Sequence, residues 1–307
     1  MPDLQVQCLV KRDFQPVFTP DNMPRLLYIS RRAPSDNAHP RLLHAHPDFA
    51  EAMLVHSGQA RFLIGEKTYD IQSGDLMLFN SGVVHDELTG GADGAIDSCC
   101  VAVAGLRLPG LRENALIPDD APAVYHVGAE LEDLWALYDM MYRYLSADQP
   151  GCEAFCHHLL LSLLGRILYL TGAAPQRLPA ETEQGALGLR VKEYIDQHYS
   201  EALTLQQIGQ VLHVSPYYLA HAFKESCGFS PRQYLLRRRI GEAQNLLIST
   251  DLPISRIAEQ VGYDTQNYFD QQFSKHTGMP PRKFRQSFQV KPEQGKEESK
   301  PPVEPVV

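Results

Sequence analysis

Three imidazoles and one carboxylate raise the question of chemistry in this 307-residue chain. In "HAHPDFAEAMLVHSG", residues 44 to 58, His44 and His46 stand two apart and Glu51 follows; His85 comes after "FNSGVV". At strand period two, His44 and His46 point to one face. Such a set suits either a metal site that does chemistry or the polar lining of a binding domain whose output lies elsewhere in the chain. His39 and His56 fall off this spacing and read as ordinary surface residues.

The elements that must position these residues are short and β-rich. From about residue 24 to 104, pieces such as "AMLVHS", "ARFLIG", "KTYDI", "LMLFN" and "SCCVAVAG" are separated by Gly58, Gly65, Ser73-Gly74-Asp75 and Ser81-Gly82. That spacing predicts a small antiparallel barrel or sandwich. The period then changes, and apolar residues at three- and four-residue intervals predict amphipathic helices over about 129–146 and 152–171. A polar, Pro/Gly-containing stretch over 176–186 reads as a linker. Helical patterning continues to about residue 288, and the tail 289–307 is too polar and Pro-rich to pack, so disorder is expected there.

Composition narrows the function classes. No basic leader opens the chain and no run approaches 18 apolar residues, so a cytoplasmic protein without membrane contact is expected. Six cysteines (Cys8, Cys99, Cys100, Cys152, Cys156, Cys227) contain no C-x-x-C pair and read as reduced, mostly buried residues. The overall charge of −9 conceals a division. Residues 1–180 hold 13 Lys+Arg against 22 Asp+Glu, a net of −9; residues 186–290 hold 12 against 9, a net of +3. Only the second region is suited to a polyanion.

That region contains an internal echo. "LTLQQIGQVLHVSPYYLAHAFKESCGFSPRQYL" overlays "LPISRIAEQVGYDTQNYFDQQFSKHTGMPPRKFR": Leu203 meets Leu252, Ile208 meets Ile257 and Leu212 meets Val261. After one inserted residue, Phe223 meets Phe273, Gly228 meets Gly278 and Pro231 meets Pro281. Thr204 with Gln207 makes a capping box for a helix whose apolar face is Ile208, Val211 and Leu212. His213, and Gly262 in the second copy, suit a tight turn; Ser215 before Pro216 caps the next helix, and Asp264 is expected to cap its counterpart. Helix, turn, capped helix is a helix-turn-helix.

Leu219 and Phe223, or Phe269 and Phe273, are expected to pack inward. This leaves Tyr217, Ala220, His221 and Lys224 on one outer face, and Gln266, Asn267, Gln271 and Lys275 on the other. Amides can contact adenine edges and lysines can neutralise phosphate, so the second face has the chemistry of a major-groove reader. On composition alone, two helical hairpins with solvated faces remain an equal alternative.

Residues 186 to 288 resemble the AraC/XylS family. The resemblance is carried by Ile257-Ala258, Gly262-Tyr263, Tyr268-Phe269 with Phe273, Gly278 with Pro281, and Phe284-Arg285, and by "CGFSPRQYL" in the first copy. Pro280 and His213 depart mildly from the pattern. The resemblance implies two units on a rigid connector helix, here "PRQYLLRRRIGEAQNLLIS", inserted into successive major grooves of double-stranded DNA. Tyr234, Leu235, Ile240, Ala243 and Leu247 would form the connector's apolar side. Of Arg237, Arg238 and Arg239, which cannot all face inward, Arg238 is expected to meet phosphate.

The opening stretch is similar to the first motif of the cupin barrels, H-x-H-x4-E-x6-G ending at Gly58, and "GDLMLFNSGVVH" resembles the second. Asn80 and Thr89 depart from that pattern. The cupin resemblance implies a divalent transition metal on His44, His46, Glu51 and His85. In AraC-like regulators such a barrel generally binds an effector, so the favoured expectation is a metal-free pocket in which these residues orient a small molecule.

The expected fold class is α+β multidomain. Residues 1–175 form a cupin-like β-barrel with dimerisation helices; residues 187–288 form an all-α tandem helix-turn-helix domain. The expected function is a ligand-responsive transcriptional regulator and not an enzyme. Family habit leans towards activation, sugars as effectors, a homodimer and RNA polymerase as a further partner. The rival is a metal-dependent cupin enzyme, an isomerase or dioxygenase, with a DNA-binding appendage.

Overall fold

The computed structural model describes residues 16–34, 42–88, 96–173 and 185–288. Cys8, His39, Thr89, the tail 289–307 and nearly all of the expected linker lie outside the described residues.

The first region is built from β1 (Arg25–Arg32), β2 (Ala50–Ile64), β3 (Lys67–Gln72), β4 (Asp75–Phe79), β5 (His85–Glu87), β6 (Ile96–Ala104) and β7 (Val124–His126). All recorded pairings are antiparallel. Strand order runs β1-β6-β2-β4-β7, with β3 and β5 paired to β2 off this path. Among the described residues this path stays open, an arrangement compatible with the expected cupin-like sheet region. The sequence pieces "AMLVHS" and "ARFLIG" are one 15-residue strand, because Gly58 is a bend within β2 and not a turn between strands. A register shift between Val55 and Ser57 and a φ of 92° at Gly58 turn the chain. The first half of β2 thereby pairs with β4 and β6, and the second with β3 and β5.

Helices α1 (Leu131–Ser146) and α2 (Cys152–Ala173) cover this sheet. β4 is buried along its whole length and β6 along nearly all of it, as expected when both faces of a strand are covered. Tyr138 of α1 is fully buried and donates its hydroxyl to the Ala52 carbonyl at 3.0 Å. By length and composition Cys152–Gly172 could cross a membrane, but Leu160, Leu163, Leu164 and Ile167 pack into the core shared with the sheet. Cys99, Cys100, Cys152, Cys156 and Cys227 are buried and none forms a disulfide.

The second region holds α3 (Gly185–His198), α4 (Leu205–Leu212), α5 (Pro216–Cys227), α6 (Pro231–Ser249), α7 (Ile254–Gln260), α8 (Gln266–Thr277) and α9 (Pro281–Phe288). Thr204 accepts from the Gln207 N–H at 3.2 Å, and the Gln207 side chain accepts from the Thr204 N–H at 2.9 Å, which closes the capping box. Thr204→Ala should cost about 1 kcal/mol, read as a lower urea midpoint of the full chain.

His213 takes the left-handed turn (φ 56°) and Gly262 does so in the second unit (φ 88°). Ser215 caps α5, but Thr265, not Asp264, caps α8: its side chain accepts from the Tyr268 N–H, three residues on, the reach an N-cap needs. Val211 is 52% exposed while Ile208 and Leu212 are buried, so the inward stripe of α4 is narrower than expected.

The two regions share packing. Leu42 belongs to the apolar cluster of Ile240, Leu247, Ile257, Phe269 and Phe273; Leu43 belongs to that of Ile208, Leu219, Phe223 and Tyr234. Each helix-turn-helix unit therefore borrows one leucine from the segment that carries His44.

Candidate ligand site and nucleic-acid interface

His44 sits in an isolated two-way bridge with His85: the His44 N–H donates to the His85 carbonyl at 3.1 Å and the His85 N–H to the His44 carbonyl at 2.9 Å. Glu51 is the second residue of β2, and His46 lies between the bridge and that strand. The four side chains are buried, and their candidate ligand atoms all lie within 4.8 Å of one another. Glu51 Oε2 is 3.3 Å from His46 Nε2 and 3.2 Å from His85 Nε2. Tyr28 donates its hydroxyl to Glu51 Oε1, which also lies 3.7 Å from Cys100 Sγ. Phe49 stacks on His46 and Phe79 on His85, with ring centroids 4.2 Å apart in each pair. Burial alone would raise the Glu51 carboxyl, but hydrogen bonds and charge from His46 and His85 hold it well below the usual carboxylate range.

The donor set fits a divalent transition metal. His44 Nδ1 lies 2.6 Å from the Leu42 carbonyl and His85 Nδ1 3.0 Å from the Val83 carbonyl. A carbonyl only accepts, so both Nδ1 atoms donate and Nε2 is the nitrogen able to ligate. His85 Nε2 then faces a carboxylate across 3.2 Å, a contact that requires a proton or a cation between them. His44, His46, Glu51 and His85 would hold such an ion, which would supply positive charge and Lewis acidity to a bound molecule. Sequence reasoning missed Tyr28: it reaches the site from β1 through a pairing with β6 that no local spacing reveals.

The expected outer faces of α5 and α8 emerge as surfaces. Tyr217 is 83% exposed, and His221 and Lys224 are exposed beside it while Ala220 is half-buried. His221 Nδ1 lies 3.5 Å from Glu225 Oε2. On α8, Gln266, Asn267, Gln271 and Lys275 are all exposed, over Phe269 and Phe273, which are fully buried. Exposed Tyr218 and Tyr268 extend the two faces. A cleft beside the second face is lined by Ser255, Gln266, Arg282 and Arg285.

Arg238 departs from expectation. It is 8% exposed, donates to Glu242 at 2.9 Å, lies 3.6 Å from Asp196 and stacks over Tyr199. Two nearby carboxylates and an aromatic face draw it inward, so it is not on a phosphate-facing surface. Arg239 donates to the Tyr199 and Glu201 carbonyls. Arg237 pairs with Asp86. All three arginines have protein partners, with Arg238 buried and Arg237 and Arg239 half-buried.

On α1 and α2, Leu134, Tyr138, Met141, Leu160, Leu163, Leu164 and Ile167 are buried within the single chain, and Leu137 and Leu159 are half-buried. The helices' apolar surface is thus largely used on the sheet. Tyr144, Phe155 and Tyr169 stay exposed.

Comparison with known proteins gives two family matches: an AraC-like ligand binding domain over residues 24–164 and a helix-turn-helix domain over residues 208–287. The chain is similar to the HTH-type transcriptional activator RhaR of Salmonella dublin, 26% identical over 287 residues, covering 90% of this chain and 95% of the relative. It is also similar to the HTH-type transcriptional regulator YdiP of Escherichia coli K12, 26% identical over 250 residues, covering 80% and 81% of the two chains. Among solved structures, the C-terminal domain of AraT, a response regulator from Geobacillus stearothermophilus, matches 38% of this chain and 98% of its own at 36% identity, with a TM-score of 0.36.

Proposed function

The chain belongs to the AraC family of transcriptional regulators, the two family matches together spanning well over half of it, and from that premise we propose how it reads DNA and what governs the reading. The protein is a ligand-responsive DNA-binding regulator whose sheet region takes the effector. The reading rests on one observation: α5 and α8 are capped, equal in length and exposed on their polar faces, and both are anchored to α6.

Tyr217, Ala220, His221 and Lys224 form the first reading face. Gln266, Asn267, Gln271 and Lys275 form the second, and it carries more of the base discrimination because amides offer a donor and an acceptor together. Arg238 has no part in this interface. The effector is oriented by His44, His46, Glu51 and His85, and its binding must be thermodynamically coupled to DNA affinity. The protein works in the cytoplasm as a transcriptional activator engaging RNA polymerase. It pairs as a symmetric dimer through the outer side of α1 and α2, where Tyr144, Phe155 and Tyr169 remain exposed. The enzyme alternative is disfavoured because the relatives are transcriptional regulators.

An unbiased duplex selection with the full chain should return a preferred sequence. Gln271→Ala should relax preference at one position of it, costing about 1–3 kcal/mol of discrimination there, read by competition binding at fixed salt. Selection of no sequence by the wild type, or unchanged preference in the variant, would sink the assignment.

A further inference from the structure

The segment that carries two of the four clustered ligands is also the surface on which the connector helix docks. The Leu42 N–H donates to Gln244 Oε1 at 3.0 Å, and Asn245 Nδ2 donates to the Ala45 carbonyl at 3.2 Å. Between them Gly241 meets the chain so closely that a Cβ there would lie 2.1 Å from the Leu43 carbonyl oxygen. On the other side of the His44–His85 bridge, Arg237 grips the buried Asp86 carboxylate with two hydrogen bonds of 2.7 and 2.9 Å and reaches the Glu87 carbonyl at 3.3 Å. Asp86 immediately follows His85 in β5. Both bridged segments therefore carry ligands of the cluster and groups that hold α6 within one or two residues of each other.

We propose that Leu42–His46 and Asp86 form a latch through which a divalent transition-metal ion on His44, His46, Glu51 and His85 fixes the placement of the helix-turn-helix pair against the sheet. The inference rests on the reading of the chain as a ligand-responsive regulator and names the class of ligand and the route of response. An ion binding four side chains at once ties the His44 segment, the start of β2 and β5 to one point. It thereby restricts the backbone groups that Gln244, Asn245 and Arg237 hold. In its absence the His44 segment is joined to β5 by one isolated bridge, with the His46 carbonyl held by the Gly82 N–H, while β5 keeps its pairing with β2; the Leu42 and Ala45 groups that Gln244 and Asn245 hold are then less restrained, and docking of α6 is weaker. A ligand shifts this equilibrium only by its differential affinity for the docked and undocked arrangements, and the shared backbone supplies that difference.

The test uses the full chain stripped of metal, with Co2+ as the probe. Three quantities are followed: the cobalt absorption spectrum, hydrogen exchange of peptides covering 42–46 and 237–245, and affinity for a duplex selected by the metal-free full chain. In the wild type, Co2+ should bind, slow exchange in both peptides, and change the DNA dissociation constant by about five-fold or more. Arg237→Ala, which removes the grip on Asp86 and no ligand, should keep the cobalt spectrum while the change in DNA affinity falls below about two-fold. Asn245→Ala, a smaller lesion, should give an intermediate change and serves if Arg237→Ala does not fold.

No cobalt binding, cobalt binding with unaltered exchange in 237–245, or a full-sized DNA response in both variants would each overturn the proposal. If the metal-free wild type selects no duplex, the regulator reading fails, and the spectrum and exchange still decide the latch. If it selects one but ignores cobalt, the latch fails and the regulator reading stands.

Discussion

Arg238→Ala is expected to lower the stability of the full chain by about 3–5 kcal/mol, towards the lower end of that range, because removing one partner from a buried ion pair strands the other. Arg238 touches Glu242 within its own helix, and Asp196 and Tyr199 of and beside α3. Asp196 also accepts from Lys192 at 2.7 Å and from the Tyr234 hydroxyl at 3.0 Å, so the loss reaches a network that joins α3 to α6. Partial exposure of Glu242 and Asp196 lets water soften the cost. The urea midpoint should fall sharply. Arg238→Lys should recover only part of it, since an ammonium cannot reproduce the planar contacts to Glu242 and over Tyr199. A variant that melts like the wild type and merely binds DNA more weakly would restore the phosphate contact expected from the sequence.

Phe273→Ala should cost a similar 3–5 kcal/mol and act locally. Phe273 is fully buried, with ring centroids 5.5 Å from Phe269 and 5.4 Å from Phe284, so its loss opens a cavity at the centre of the second unit. The first unit's core, around Phe223 and Tyr234, is a separate cluster. Hydrogen exchange should therefore accelerate across 254–288 while the peptides of α4 and α5 change little, and the DNA footprint should contract to one half-site. An intact two-part footprint at temperatures where the wild type is stable would contradict this placement of the second unit's core.

Much of the second region was legible because its signals are local. Thr204 and Gln207, and Ser215 and Pro216, act within four residues of themselves, and the structure keeps each of them in role. Thr265 displaced Asp264 as a cap because adjacent Asp and Thr are both good caps, and only backbone geometry chooses between them. The four-residue cluster was legible through the cupin resemblance and not through local spacing, and His44 and His46 converge from a single bridge and not from a regular strand.

What stayed hidden is long-range. The triple arginine run gave no indication that Arg237 would find Asp86, 151 positions away, or that Arg238 would turn inward to Asp196. Nor could alternation distinguish two strands separated by Gly58 from one strand bent there, since both leave the same residues facing the core. Helices α1 and α2 illustrate a further limit: apolar residues at helical spacing reveal that a face is covered, but not whether the chain itself provides the cover.

The borrowed leucines have a practical corollary. A fragment cut ahead of α3 would carry two open sockets where Leu42 and Leu43 had been, one in each reading unit. Its melting temperature and its grip on DNA would then report on an incomplete core, and excising the reader would damage the instrument being measured.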